Sequence, residues 1–264
     1  MNKGTHEGND GEISFVSDFN LNKSRYDNYL SELVVDYSNV WMVRVTTKQE
    51  SLLSKRKVYT RADCYLALIN SDISLLLKKN NFYLSEQILE INDVAFKKIP
   101  YSGISIKMTN SSNFQIIKFG PDSFKELFHS YELGAGASLY CKNDNDLDSN
   151  LDVISGWKTD ADAMAAEFHE FTKGNLLFYK EKDICQKIKS YSCDIITKKI
   201  LSSLELQRNI FNGIGLYKEP YTAHFFYHGK NITKLSIIPF YVTTGSGRSK
   251  GEYTIVLKPS GIDL

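Results

Sequence analysis

Long hydrophobic runs are missing from this 264-residue chain. None approaches the roughly 18 apolar residues that a membrane-spanning helix requires. No secretory leader opens the chain, so a soluble, cytoplasmic protein is expected. Cysteine is scarce: Cys64, Cys141, Cys185 and Cys193 form neither a CxxC pair nor a metal-ligand spacing with the five histidines. That excludes a zinc ribbon or a disulfide scaffold and fits a reducing compartment, in which the sequons at Asn110 and Asn231 carry no meaning. A charge excess is lacking too. With 32 basic and 31 acidic residues the formal net charge is +1, which neither requires nor excludes an anionic partner. Local clusters matter more, such as Lys55-Arg56-Lys57, Lys97-Lys98 and Lys198-Lys199 against the acidic "NDNDLDSNLD".

What is present is ordinary globular material. Hydrophobic residues make up 42% and charged residues 24%, which argues against disorder, and the length suffices for a real core. The Gly- and Asn-rich opening, "MNKGTHEGNDGE", is expected to be loose. From Gly11 onward apolar groups recur at helical spacing, with Phe15, Phe19, Tyr29, Leu33 and Tyr37 on the inner faces. "VWMVRVTT" reads as a strand, "KQESLLSKRK" as a polar turn region, and "VYTRADCYLALI" (58–69) as a second strand with Cys64 in the core. "SDISLLLKK" reads as a short strand or helix, whereas "SGISIKM" and "NFQIIKF" read as strands. Pro121 marks the first turn of a helix through "GPDSFKELFHSYELG". A helix over "DADAMAAEFHEFTKG" ends at Gly174, one or two helices follow over 182–211, and the C-terminal part is β-rich. The expected fold class is α/β (α+β), a central mixed β-sheet flanked by helices. No internal repeat is visible, and "CKNDNDLDSN" is the best boundary candidate.

Two motifs fail on their spacing. Asp144, Asp146 and Asp148 are spaced like the first ligands of an EF-hand, but Ser149 and Ser155 stand where that loop needs Gly and Glu. "GSGRSKG" lacks the closing Gly-Lys-Ser/Thr of a P-loop. A third constellation is more informative. Asp63 stands at the mouth of an apolar strand, and Lys107 ends a strand some forty residues later. If the strands are neighbours, the carboxylate can hold a divalent cation while the ammonium faces the same place. Phosphodiester hydrolysis needs that combination of charges.

The residues around this pair carry a family resemblance. "SLLSKRKVYTRADCYLAL" followed by "YSGISIKMTNSSNFQIIKFGPDSF" resembles type II restriction endonucleases with the PD-(D/E)XK nuclease fold. In that superfamily a metal-binding Asp starts a strand, as after Thr60-Arg61-Ala62, and a later strand ends in x-x-Lys, as in Ser105-Ile106-Lys107. The opening "GNDGEISFVSDF" is similar to the Gly-x-x-Gly-Glu start of several members, whose helical Glu completes the site. The resemblance spans residues 8–128. Ala62 stands for the usual Pro, and Ser105 for the acid two residues before the Lys. Some members relocate that acid to a helix or let Ser fill the coordination sphere. Glu12 is the first choice for the relocated acid and Glu90 the second.

The resemblance implies a Mg²⁺-dependent, sequence-specific double-stranded DNA endonuclease of a restriction system. Asp63 and Glu12 would bind metal, Lys107 would polarise the attacking water, and Ser105 would take the missing acid's place. It also implies one endonuclease domain over 1–264, with a PD-(D/E)XK-like core at 8–128 and DNA-recognition and dimerisation elements at 150–264. Asn113, Gln115, Arg248 and Lys250 are the candidate DNA contacts, because such side chains read base edges and phosphates; Arg208, Asn209 and Asn212 are weaker ones. Cutting both strands of a palindromic site implies a homodimer. The rival core "SGWKTDADA", with Lys158, Asp160 and Asp162, is better explained by Asp160 capping the helix that follows. The rival function is a non-catalytic DNA-binding or phage-related interaction protein.

Overall fold

The run Cys64–Leu68 is buried at its first four positions because both of its faces are covered, and that is why it reads as continuous apolar sequence instead of alternating. It is β4, at the heart of a six-stranded mixed sheet. The computed structural model describes residues 3–53, 56–107, 115–129, 134, 139, 155–228, 231–245 and 254–260. The sheet runs β1 (Val40–Arg44), β4, β6 (Ile104–Ile106), β8 (Phe225–His228), β9 (Asn231–Lys234), and β5 (Lys97–Lys98) also pairs with β4. β1 and β6 lie antiparallel to β4, β8 runs parallel to β6, and β9 is antiparallel to β8. The segment expected as the core thus shares its sheet with strands from beyond residue 220.

Helices cover both faces. On one, α1 (Lys3–Leu21) and α2 (Asp27–Leu33) lay Phe15, Val16, Phe19, Tyr29 and Leu30 over Met42, Cys64, Leu66 and Ile104. On the other, α3 (Ser74–Lys79) and α4 (Glu86–Ile91) bring Leu77 and Leu89 against Val43, Tyr65 and Ala67. Full burial of side chains this size contributes about 1.5–3 kcal/mol each. At Met42 the sheet edge of β1 is capped by one side chain. The Asn20 amide donates to the Met42 carbonyl at 3.0 Å, and its oxygen accepts the Met42 N–H at 2.8 Å, so it mimics another strand. A second sheet, ordered β10 (Phe240–Gly245), β11 (Thr254–Pro259), β7 (Ile117–Phe119), shares a core with α5 (Pro121–Phe128) and the helix Lys182–Ser202.

Three expectations need correction. The N-terminus is not loose, since α1 begins at Lys3. Its buried stripe and a grip by Arg44 on Asn9 and Glu12 outweigh the poor helix propensity of its glycines. The stretch 58–69 is not one strand. β3 (Lys57–Val58) forms a small hairpin with β2 (Gln49–Glu50), inside what reads as a plain polar turn. The chain then diverges, because Arg61 and Ala62 donate their N–H groups to the Tyr221 carbonyl before β4 starts. "NFQIIKF", expected as a strand, supplies β7, which pairs with β11 in the second sheet. The helix ending at Gly174 is interrupted at Phe168, splitting Ala161–Glu167 from His169–Thr172.

Candidate active site

Glu12 falls on the inner face of α1 by arithmetic: positions 12, 15, 16 and 19 follow the i, i+3, i+4, i+7 rule, and the last three are core residues. The helix therefore carries a carboxylate to the sheet along with its apolar stripe. Asp63 arrives by a different route. Its N–H donates to the Ile104 carbonyl and its own carbonyl accepts from Val45 N–H, both at 2.9 Å, so its backbone is locked between neighbouring chain segments. Past that point the β4–β6 ladder stops, and the Asp63 side chain fills the gap by accepting the Ile106 N–H at 2.6 Å. The Ser105 hydroxyl lies 3.5 Å from the same carboxylate oxygen. Lys107 follows β6, anchored by its N–H to the Tyr227 carbonyl at 3.0 Å.

These groups share one place. Asp63, Ser105 and Lys107 line a cavity of about 110 Å³ together with Thr60 and Arg61. Its apolar wall is built by Ile116, Phe211, Phe226, Leu235 and Ile238, so the cavity sits at the seam between the main sheet and the later part of the chain. Glu12 does not line this cavity but feels the charges of Asp63 and Lys107. Burial raises its carboxyl above the usual range, and repulsion from Asp63 adds to that, while Arg44 and Lys107 act in the opposite direction.

Two arginines were not picked out by sequence reasoning. Arg44 ends β1, and its Nε and Nη2 both reach Glu12 Oε2 at 2.7 Å. The available signal was a charged residue closing an otherwise apolar strand. Arg61, treated as mere lead-in, donates through Nη1 to the Ile116 carbonyl at 3.1 Å and through Nη2 to the Ile210 carbonyl. Burial pulls its guanidinium below the ordinary value.

The remaining candidates are scattered. Glu90 is exposed on α4, which packs on the sheet face opposite α1. Gln115 is exposed. Asn113, Arg248 and Lys250 lie outside the described residues, the latter two in the segment joining β10 to β11, as do the acidic loop and the boundary candidate over 141–150. Asn209 and Asn212 spend their amides on the carbonyls of Glu205, Ile214 and Ala223, which leaves them structural. Asp160 caps its helix through Ala163 N–H at 2.8 Å, and Lys158 pairs with Asp122 at 2.7 Å, so the rival core is a helix start.

Among the described residues no group of three or more His, Cys, Asp or Glu side chains is placed to hold a metal ion. The oxygen donors gathered here are two carboxylates and a serine hydroxyl. No helix among the described residues is long and apolar enough to cross a membrane. No protein-family model matches the chain, and no curated protein or solved structure matches it significantly.

Proposed function

We propose that this chain is a Mg²⁺-dependent, sequence-specific double-stranded DNA endonuclease of the PD-(D/E)XK type, acting as a cytoplasmic homodimer in a restriction system. The observation that supports the reading is that Asp63, before β4, lines one cavity with Ser105 and Lys107 at the end of β6, while Glu12 on α1 lies near enough to feel the charges of Asp63 and Lys107. The order of helix, antiparallel strands and a later parallel strand agrees with such a core.

The donor set suits a hard cation. Mg²⁺ commonly takes one or two carboxylates and completes its shell with water and substrate phosphate, so Asp63 and Glu12 would hold it with the Ser105 hydroxyl beside them. Bound there, it supplies charge neutralisation to the phosphodiester. Ser105 and the Ile106 N–H orient the Asp63 carboxylate. Lys107 carries a positive charge to the cavity, where it orients the attacking water and favours the charge that develops on phosphate. Gln115, Asn113, Arg248 and Lys250 are the residues assigned to DNA contact.

The test is digestion of plasmid and phage DNA with MgCl₂. Discrete fragments are expected from the wild type, and a loss of at least about a hundredfold for Asp63→Ala and for Lys107→Ala. Undiminished cutting by either variant removes the mechanism. The second reading, a non-catalytic DNA-binding or phage-related protein, draws on Ser105 in place of an acid and on Arg44 occupying one oxygen of Glu12. It expects salt-sensitive duplex binding that is indifferent to Mg²⁺ and never leads to cleavage.

A further inference from the structure

Arg44 is the last residue of β1 and pairs across the ladder with Cys64, so its backbone lies one residue from Asp63 on the neighbouring strand. Its N–H is held by the Leu84 carbonyl at 3.0 Å. The guanidinium is engaged at all three nitrogens: Nε and Nη2 on Glu12 Oε2, Nη2 also on Asn9 Oδ1 at 2.7 Å, and Nη1 on the Tyr83 hydroxyl at 3.4 Å. Asn9 and Glu12 are one helical turn apart, so a single side chain clips that turn of α1 to the sheet. Both contacts to Glu12 use the same oxygen, and Oε1 has no partner among the described residues.

Charge makes this more than a fastening. The site combines two carboxylates, Glu12 and Asp63, with the cationic side chains of Arg44 and Lys107 and with Arg61, which lines the cavity beside Asp63. Formally the carboxylates are already fully balanced by these cations without any metal. Half-buried charges a few ångströms apart interact far more strongly than in bulk water. A fixed guanidinium beside one ligand therefore opposes a divalent cation while it holds that ligand in position.

We propose that Arg44 is a built-in counter-cation of the Glu12–Asp63 site, positioning Glu12 on α1 and setting the divalent-metal concentration at which the site fills. The proposal rests on the metal-dependent reading above. In this role Arg44 keeps two neighbouring carboxylates assembled when no metal is bound, and it keeps metal affinity low. A divalent ion would then meet a preformed site in which Arg44 offsets the repulsion between Glu12 and Asp63. The fork matters for placement, whereas the charge matters for affinity.

The test is calorimetric titration of MnCl₂ into the full chain, with no DNA present. Arg44→Gln removes the charge, and its dissociation constant for Mn²⁺ is expected to be at least about tenfold lower than that of the wild type. Arg44→Lys keeps the charge, and its constant should stay within about threefold of the wild type. Equal or weaker binding by a folded Arg44→Gln overturns the proposal and leaves the endonuclease reading standing. A tenfold gain in Arg44→Lys overturns it as well, even if the glutamine variant does not fold. If neither the wild type nor Arg44→Gln binds Mn²⁺ at millimolar concentration, the proposal and the metal-dependent reading fall together.

Discussion

Glu86 shows what burial demands of a single carboxylate. It is 1% exposed, and it accepts hydrogen bonds from the N–H groups of Thr46 and Thr47, the hydroxyls of Tyr65 and Tyr221, and the Lys98 ammonium. Burial alone would raise its carboxyl, but the bonds from Thr47, Tyr65 and Lys98 outweigh it and hold the value down to about 2. A carboxyl lowered in the folded state stabilises fully above its ordinary value of 4.5 and loses that contribution as pH falls toward about 2. The linked free energy is on the order of 3 kcal/mol. In urea unfolding at neutral pH, Glu86→Ala should cost about 3–5 kcal/mol, and the gap from wild type should narrow steadily between pH 4.5 and 2. A gap independent of pH would show that packing, not charge, is what Glu86 provides. None of this was legible in "SEQIL", where Glu86 reads as an ordinary first-turn acid behind the Ser85 cap. Its partners come from sequence positions up to 135 residues away. Asp63 was singled out in the sequence at a strand mouth, whereas Glu12 was singled out only through the resemblance of "GNDGE" to a family opening.

At the scale of elements, the junction of β5 and β6 decides how the site is framed. The chain breaks its pairing with β4 at Pro100 and Tyr101, and the Ser102 hydroxyl takes the Leu66 N–H at 3.0 Å in place of a strand carbonyl. Gly103 then passes close to the 220–222 segment. A Cβ on it would lie 1.9 Å from the Thr222 carbonyl oxygen and 2.8 Å from that of Pro220. Gly103→Ala must therefore displace backbone that also receives the Arg61 and Ala62 N–H groups at Tyr221. The expected result is a destabilisation of about 3 kcal/mol or more, measured by thermal unfolding. A variant as stable as wild type would show that this segment yields freely. In sequence, "YSGISIK" announces a strand, but its glycine looks like mere turn punctuation. Only the approach of a distant carbonyl gives the missing side chain its purpose.

Across the whole molecule, the two sheets meet at the cavity, and Arg61 spans the seam. It leaves the main sheet two residues before Asp63 and donates to the carbonyls of Ile116, beside β7, and Ile210, near the end of the helical region. Its buried Nε has no partner among the described residues. Arg61→Met would keep bulk and leave two carbonyls without their donors, for an expected loss of about 2–4 kcal/mol in chemical unfolding. A change under about 0.5 kcal/mol would mean that the seam does not depend on this side chain. The sequence alone settled what local chemistry can settle: helices where apolar groups recur every third or fourth residue, a two-face-buried strand at "CYLAL", a capped helix at Asp160, and a carboxylate and a lysine at strand ends. Tertiary structure decided which of these meet. It put β8 beside β6, sent β7 to the other sheet, and bound Arg44 to Glu12. Local patterns arise from neighbours along the chain, whereas charge pairing and strand order depend on contacts between residues far apart in it, and those are chosen by how the layers pack.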